Sequence, residues 1–191
     1  MQPNTFTINS TSPHYGNFLP TKPLIIGGLI GVGSFSEVFE VLGGPIVWAV
    51  KVLDARGTRC LPAMRSFDME TNTFGMIDHR NVIPVIARGT VEGRPAYMMP
   101  RALGTLNELT GPQMVASRFM SEVESANEAF ADLGFSHGDL HSGNILVFEV
   151  NGDFTLRLAD PRPQKLDRSF DRVCLAKIQT QITNKQQTTT N

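Results

Sequence analysis

The chain has 191 residues, 41% of them hydrophobic and 18% charged, which is ordinary for one globular domain or two small lobes. A formal net charge of −1 gives no overall attraction to nucleic acid or to an anionic membrane. Cys60 and Cys174 lack metal-ligand or CxxC spacing, the apolar run 24–33 is too short to span a bilayer, and no start resembling a cleaved secretory signal is present.

Residues 1–22 carry no Asp, Glu or Arg and are rich in Asn, Thr, Ser and Pro, so they read as a mobile leader or as a non-cleaved secretion or interaction segment. Residues 23–42 are two β-rich runs joined by a Gly/Ser turn. Gly43-Gly44-Pro45 is a second turn, and residues 46–53 form a nearly continuous third strand. A helix is expected over 65–77, with Phe67, Phe74 and Ile77. Two further strands are expected at 81–87 and 96–99, with a Glu92-Gly93 turn between them. Residues 100–104 read as an extended connection. A helix over 113–133 follows Pro112, places Met114, Val115, Phe119, Met120, Val123, Ala126, Phe130 and Leu133 at helical spacing, and ends at Gly134. Asn151-Gly152 marks a hairpin of 145–150 with 154–158, and 167–182 reads as a last helix. Residues from 179 onward read as frayed.

Several residues suit phosphate chemistry. Gly31 and Gly33 sit at a strand turn, where glycine lets backbone N–H groups approach a phosphate. Neither a Walker A nor a Rossmann fingerprint is present, because the next element reads as a strand. Lys51 lies inside an apolar strand, with Glu70 on the following helix as its candidate partner. The loop His137-Gly138-Asp139-Leu140-His141-Ser142-Gly143-Asn144 lies between apolar runs, and one loop could aim Asp139 and Asn144 at one phosphate–metal cluster. No further ligand stands near His137 and His141 at zinc spacing. Ser136, His137 and Asp139 are too close in sequence to form a hydrolase triad. Asp160 ends a strand before Pro161, a position from which a carboxylate can bind magnesium.

The order of these parts resembles the eukaryotic-type protein kinase superfamily. Gly31-Val32-Gly33-Ser34-Phe35-Ser36-Glu37-Val38 resembles its Gly-rich loop, with Ser36 where a third Gly is usual. Ala49-Val50-Lys51 resembles the strand-lysine motif, and Glu70 the helix partner. His79-Arg80-Asn81-Val82-Ile83 resembles the stretch after that helix. His137, Asp139, Leu140 and Asn144 match H-x-D-L-x-x-x-N, and Leu158-Ala159-Asp160 stands where the second metal-binding Asp is expected. The resemblance covers residues 24 to about 165. It implies an α+β, bilobal protein-kinase-like fold: a leader (1–22), a five-stranded antiparallel N-lobe with one helix (23–100), a truncated, mainly helical C-lobe (101–182) and a tail (183–191). It also implies ATP and Mg²⁺ as cofactors. Lys51 would grip the α/β-phosphates, held by Glu70, and Asp139 would be the catalytic base. Asn144 and Asp160 would bind the metal, and the loop from Gly31 to Val38, with Ala49, would enclose the nucleotide. Met98, Met99 and Arg101 would form the hinge beside adenine.

Three features depart from the family pattern. Pro161-Arg162 follows Asp160 in place of Phe-Gly, and Arg162 could anchor a phosphate or pair with an acid. His141 stands where Lys is common. Only 31 residues follow Asp160, without an A-P-E motif or a long activation loop. This plan resembles the short type III effector kinases of Gram-negative pathogens, the OspG and NleH type. Such a likeness implies a protein Ser/Thr kinase secreted into the host cell cytoplasm, with a host protein as substrate and activity that is constitutive or raised by a host partner. The alternatives are a kinase-fold protein that acts by docking on a ubiquitin-conjugating enzyme or a chaperone, a phage protein kinase, or a small-molecule kinase of the aminoglycoside type, for which about 30 residues leave little room.

Overall fold

A computed structural model describes residues 4–11, 24–43, 47–108 and 116–187. The chain divides into two units, Met1–Gly75 with Pro84–Arg101, and Met76–Ile83 with Ala102–Asn191. The sequence placed 23–100 in one lobe. Met76–Ile83 instead belongs with the second unit, because Asn81 Nδ2 bonds the Leu156 carbonyl at 2.8 Å and Ile83 N bonds that of Leu158 at 2.9 Å.

The first unit is a closed antiparallel barrel of β1 (Thr5–Thr11), β2 (Leu24–Val32), β3 (Ser36–Leu42), β4 (Trp48–Leu53), β5 (Ala87–Val91) and β6 (Arg94–Pro100), in the order β1-β2-β3-β4-β6-β5. Phe6, Leu24, Ile26, Trp48, Val50, Val52, Ile86 and Met98 fill its interior. The number of strands is therefore six, not five. Residues 5–11 are a strand rather than part of a mobile leader: Phe6 is 1% exposed and pairs with Val91, and β1 joins β2 to β5. One buried aromatic anchors a strand whose other side chains are mostly polar and outward, so its composition conceals it. Gly89 permits this approach, since a Cβ there would collide with the Thr7 carbonyl. The strand expected at 81–87 is an isolated parallel bridge between Val82 and Leu158, followed by buried extended chain, and β5 starts only at Ala87. Helix α1 (Leu61–Met76) turns Phe67, Glu70 and Phe74 inward.

In the second unit, β7 (Gly104–Thr105), β9 (Ile145–Val150) and β10 (Asp153–Leu158) form a sheet in the order β10-β9-β7, and β8 (Phe135–Ser136) pairs with β11 (Gln164–Lys165). The hairpin turn places Asn151 and Gly152 at φ 54° and 83°, as a two-residue type I′ connection requires. Helix α2 (Ala116–Asp132) buries Phe119, Val123, Ala126 and Phe130, and ends with Gly134 at φ 81°. Its expected start at Pro112 and its residues Met114 and Val115 lie outside the described residues. The buried Glu122 of α2 accepts the Leu156 N–H at 2.8 Å and the Thr155 hydroxyl at 3.2 Å, which locks the helix to β10. Helix α3 (Arg168–Gln187) is capped by Asp167, whose Oδ1 accepts the N–H groups of Ser169 and Phe170 at 3.0 Å each. It runs past 182, where fraying was expected, because no Gly or Pro interrupts it and Ile178 and Ile182 hold it to the core. No helix among the described residues is long and apolar enough to cross a membrane.

Candidate functional site

The sequence-expected residues fall into two half-sites, one in each unit. In the first, β4 lies between β3 and β6, so Lys51 opposes Val38 on one side and Tyr97 on the other. Its ammonium donates to Glu70 Oε1 at 2.9 Å, with side-chain exposures of 7% and 9%. The Tyr97 hydroxyl donates to the same oxygen at 2.6 Å, and its ring packs against Phe67 with centroids 5.5 Å apart. Lys51 Nζ lies 6.0 Å from the Tyr97 ring centroid. Desolvating two charges opposes folding, and this pair is retained with its geometry fixed from both sides. Tyr97 was not singled out from the sequence. Its signal was a phenol inside an apolar strand, where the hydroxyl needs a partner.

The turn between β2 and β3 exposes Val32, Ser34 and Phe35, whereas Ser36 is buried. Gly33 N bonds the Ser36 carbonyl at 2.7 Å. The turn is also tied from outside: Asp54 N bonds the Phe35 carbonyl at 2.9 Å, and the Arg56 guanidinium bonds the Ser34 carbonyl at 3.1 Å. Asp54 in turn accepts the N–H groups of Gly57 and Arg56 at 2.7 and 2.8 Å, and the Arg56 guanidinium. The Gly57 amide, with Arg56, holds the Asp54 carboxyl below its ordinary pKa against the opposing effect of burial. Ala49 and Met99 are buried and paired. Met98 lies wholly in the barrel core. Pro100 lacks an N–H, Arg101 N bonds the Val47 carbonyl at 3.1 Å, and the Arg101 guanidinium holds Glu40 at 2.7 Å.

The second half-site is the loop from β8 to β9. His137 is fully buried. Its Nε2–H donates to the Ala159 carbonyl at 3.0 Å and its ring meets Phe130 edge-on, with centroids 5.1 Å apart. Burial lowers its pKa from 6.5 to about 4, so it is neutral at pH 7 and structural. Gly138 has φ 79°, and a Cβ there would collide with the Arg162 carbonyl, so only glycine fits. Arg162 N bonds the His137 carbonyl at 2.8 Å, and Arg162 Nε lies 3.2 Å from Asp139 Oδ2. The acid pairing, one of the two roles the sequence left open for Arg162, is the contact seen in this structure. His141 Nδ1 accepts the Gly143 N–H at 3.1 Å, and its Nε2 lies 3.8 Å from Asp139 Oδ1. Asn144 Nδ2 donates to the Asp139 carbonyl at 2.8 Å, and Ala159 N donates to the Asn144 carbonyl at 2.9 Å, which brings the strand end at Asp160 beside the loop. Ser136 anchors the loop from behind: its hydroxyl donates to Asp171 at 3.0 Å and accepts the Asp167 N–H at 2.8 Å.

The oxygen donors of Asn144 and Asp160 suit a hard cation that keeps waters and phosphate oxygens as its other ligands. No group of three or more His, Cys, Asp or Glu among the described residues could form a closed protein cage. That donor set fits Mg²⁺ delivered with a nucleotide and does not fit a structural transition metal.

The fold is the kinase-like α+β fold, with an antiparallel N-terminal sheet and three helices among the described residues. The chain is similar to the crystal structure of the PknI kinase domain of Mycobacterium tuberculosis, with a TM-score of 0.62 and 20% identity over 86% of this chain and 75% of that one. A double mutant of that domain matches at TM-score 0.62 and 19% identity, over 86% and 74%. No family model and no curated protein sequence matches the chain.

Proposed function

We propose that the protein is an ATP- and Mg²⁺-dependent protein Ser/Thr kinase. The observation that carries this reading is the buried Lys51–Glu70 pair, braced by Tyr97, in a chain of kinase-like fold that also holds Asp139 and Asn144 on one loop with the strand end at Asp160 beside it. Lys51 binds the α/β-phosphates, and Glu70 keeps its ammonium in one place. Asp139 accepts the hydrogen bond of the substrate hydroxyl and orients it for in-line attack. Asn144 Oδ1 and the Asp160 carboxylate would hold Mg²⁺, which neutralises phosphate charge. The catalytic gain comes from positioning and electrostatic stabilisation.

The setting we propose is that of the OspG and NleH type: a bacterial effector acting in the host cytoplasm on a host protein, its activity constitutive or raised by a host partner. Incubation with labelled ATP and Mg²⁺ in a eukaryotic lysate tests it. Wild type should label host proteins and Asp139→Ala should not; equal labelling by both would sink the mechanism. A second reading has its own support: Ile25, Leu29, Ile30, Leu42 and Val47 are exposed apolar side chains on the first unit. They favour a protein that docks on a host partner, such as a ubiquitin-conjugating enzyme or a chaperone, with little catalysis. A host phenotype that survives Lys51→Ala and Asp139→Ala together would select that reading.

A further inference from the structure

The second unit carries a cavity of ≈ 350 Å³ that belongs to neither half-site. Arg80, Arg118 and Arg157 line it, with Asn151, Asp153 and Thr155. The three guanidinium groups come from three places: the segment after α1, helix α2 and strand β10. Glu122, buried beneath and fixed by the Leu156 N–H and the Thr155 hydroxyl, presents Oε1 to Arg118 Nε at 3.3 Å and to the Arg80 guanidinium at 3.7 Å. Arg118 also reaches Asp153 at 3.7 Å, and the Arg157 guanidinium lies over the Phe148 ring at 4.8 Å. One buried carboxylate thus orients two of the arginines, and an aromatic face supports the third.

Arg80, Arg118 and Arg157 bring three guanidinium groups to one cavity, and Asp153 is the one carboxylate among its described lining residues. Guanidinium forks match tetrahedral oxyanions through paired N–H donors. The cavity is much larger than one phosphate, and Val150 gives it an apolar wall. We propose that this cavity binds a phosphate monoester, the phosphate on the three arginines and the substituent along the hairpin turn at Val150 and Asn151. The site stands independently of the kinase reading.

Calorimetric titration of the full chain tests it, with inorganic phosphate, O-phosphoserine and a phosphoserine peptide as probes and acetate as the control anion. The phosphate monoesters should saturate the protein with a dissociation constant below about 1 mM and weaken with added salt, while acetate should not bind. Arg80→Ala and Arg118→Gln should each weaken binding about tenfold, the effect of losing a charge-assisted hydrogen bond. Arg80 is 74% exposed, so its removal leaves the fold intact even if Arg118→Gln, which strips a partner from Glu122, does not. Weakening in Arg80→Ala separates this cavity from a nucleotide site, because Arg80 belongs to neither half-site. Tighter binding of the peptide than of free phosphoserine would identify a protein-borne phosphate, and equal binding a small metabolite. Absence of saturable binding to any phosphate probe, or undiminished binding in Arg80→Ala, would each overturn the proposal.

Discussion

The two half-sites differ in how their charges are kept. In the first unit Lys51 and Glu70 are buried, share a bonded oxygen with Tyr97 and lie on regular elements. In the second, the Asp139 carboxylate is 30% exposed, its Arg162 partner is 64% exposed, and both lie on irregular chain. Buried charge in low dielectric is held firmly and is costly to disturb; exposed charge is screened and easily rearranged. The first half-site is therefore fixed before any ligand arrives. The second is held rigidly by its backbone, through His137, Gly138 and Asn144, while the Asp139 carboxylate stays adaptable.

The largest effect should come from breaking the buried pair. Glu70→Ala removes the carboxylate that Lys51 and Tyr97 share in a dry site and should destabilise the protein by about 3–5 kcal/mol in chemical denaturation. Tyr97→Phe keeps the pair and removes one charge-assisted bond, so about 1.5–3 kcal/mol is expected. If Glu70→Ala proves as stable as wild type, the pair is not desolvated in solution.

His137 of the second unit is fully buried, and it makes stability depend on pH. His137 titrates near 6.5 when unfolded and at about 4 when folded. Between those values the unfolded chain binds a proton that the native state refuses. His137 therefore contributes fully above pH 6.5, and its contribution is lost as pH falls from there to about 4. The loss should reach roughly 3 kcal/mol by urea denaturation. His79, also lowered by burial, acts with the same sign. The difference between wild type and His137→Phe across this window isolates His137, and a flat difference would contradict its burial.

The glycine turn of the first unit should respond less. Asp54→Ala removes the acceptor that holds Gly57 N and Arg56, and should cost about 0.5–2 kcal/mol, the usual range for a lost cap. The Asp54 carboxyl is lowered, so its contribution is complete at neutral pH and is lost as pH falls below the ordinary Asp range. On the proposed function, nucleotide KM should rise while kcat falls less, because the turn held by Asp54 and Arg56 covers substrate rather than reacting with it. An unchanged KM would separate this anchor from nucleotide binding.

Short-range patterns made part of this comparison legible in the sequence. Lys51 stood out as a charge inside an apolar strand, Asp139 and Asn144 as polar residues between apolar runs, and Asn151-Gly152 as a turn whose backbone angles few residues accept. What stayed hidden depends on partners distant in sequence. Tyr97 meets Glu70 27 positions away, Glu122 meets Leu156 34 away, and Ser136 meets Asp171 35 away, and no local pattern announces such contacts. Strand β1 was hidden because Phe6 alone carries most of its burial. The segment 81–87 misled for the opposite reason: its apolar run is buried, yet its backbone bonds go to Leu158 and Met98 rather than to a continuous ladder.

The smallest effect on stability should come from the exposed pair of the second half-site. Arg162→Gln removes the guanidinium from Asp139 but keeps the Arg162 backbone bond to the His137 carbonyl, so the loop should hold its shape. An exposed ion pair contributes at most about 1 kcal/mol, and the denaturation midpoint should barely move. If the pair orients Asp139 toward the substrate hydroxyl, the same energy limits the loss in kcat to roughly fivefold, with nucleotide KM unchanged. Arg162→Lys should recover most of that loss, since a point charge still reaches the carboxylate. A kcat drop as deep as that of Asp139→Ala would mean that Arg162 touches the transferring phosphate itself, and the contrast between a fixed first half-site and an adaptable second would have to be redrawn.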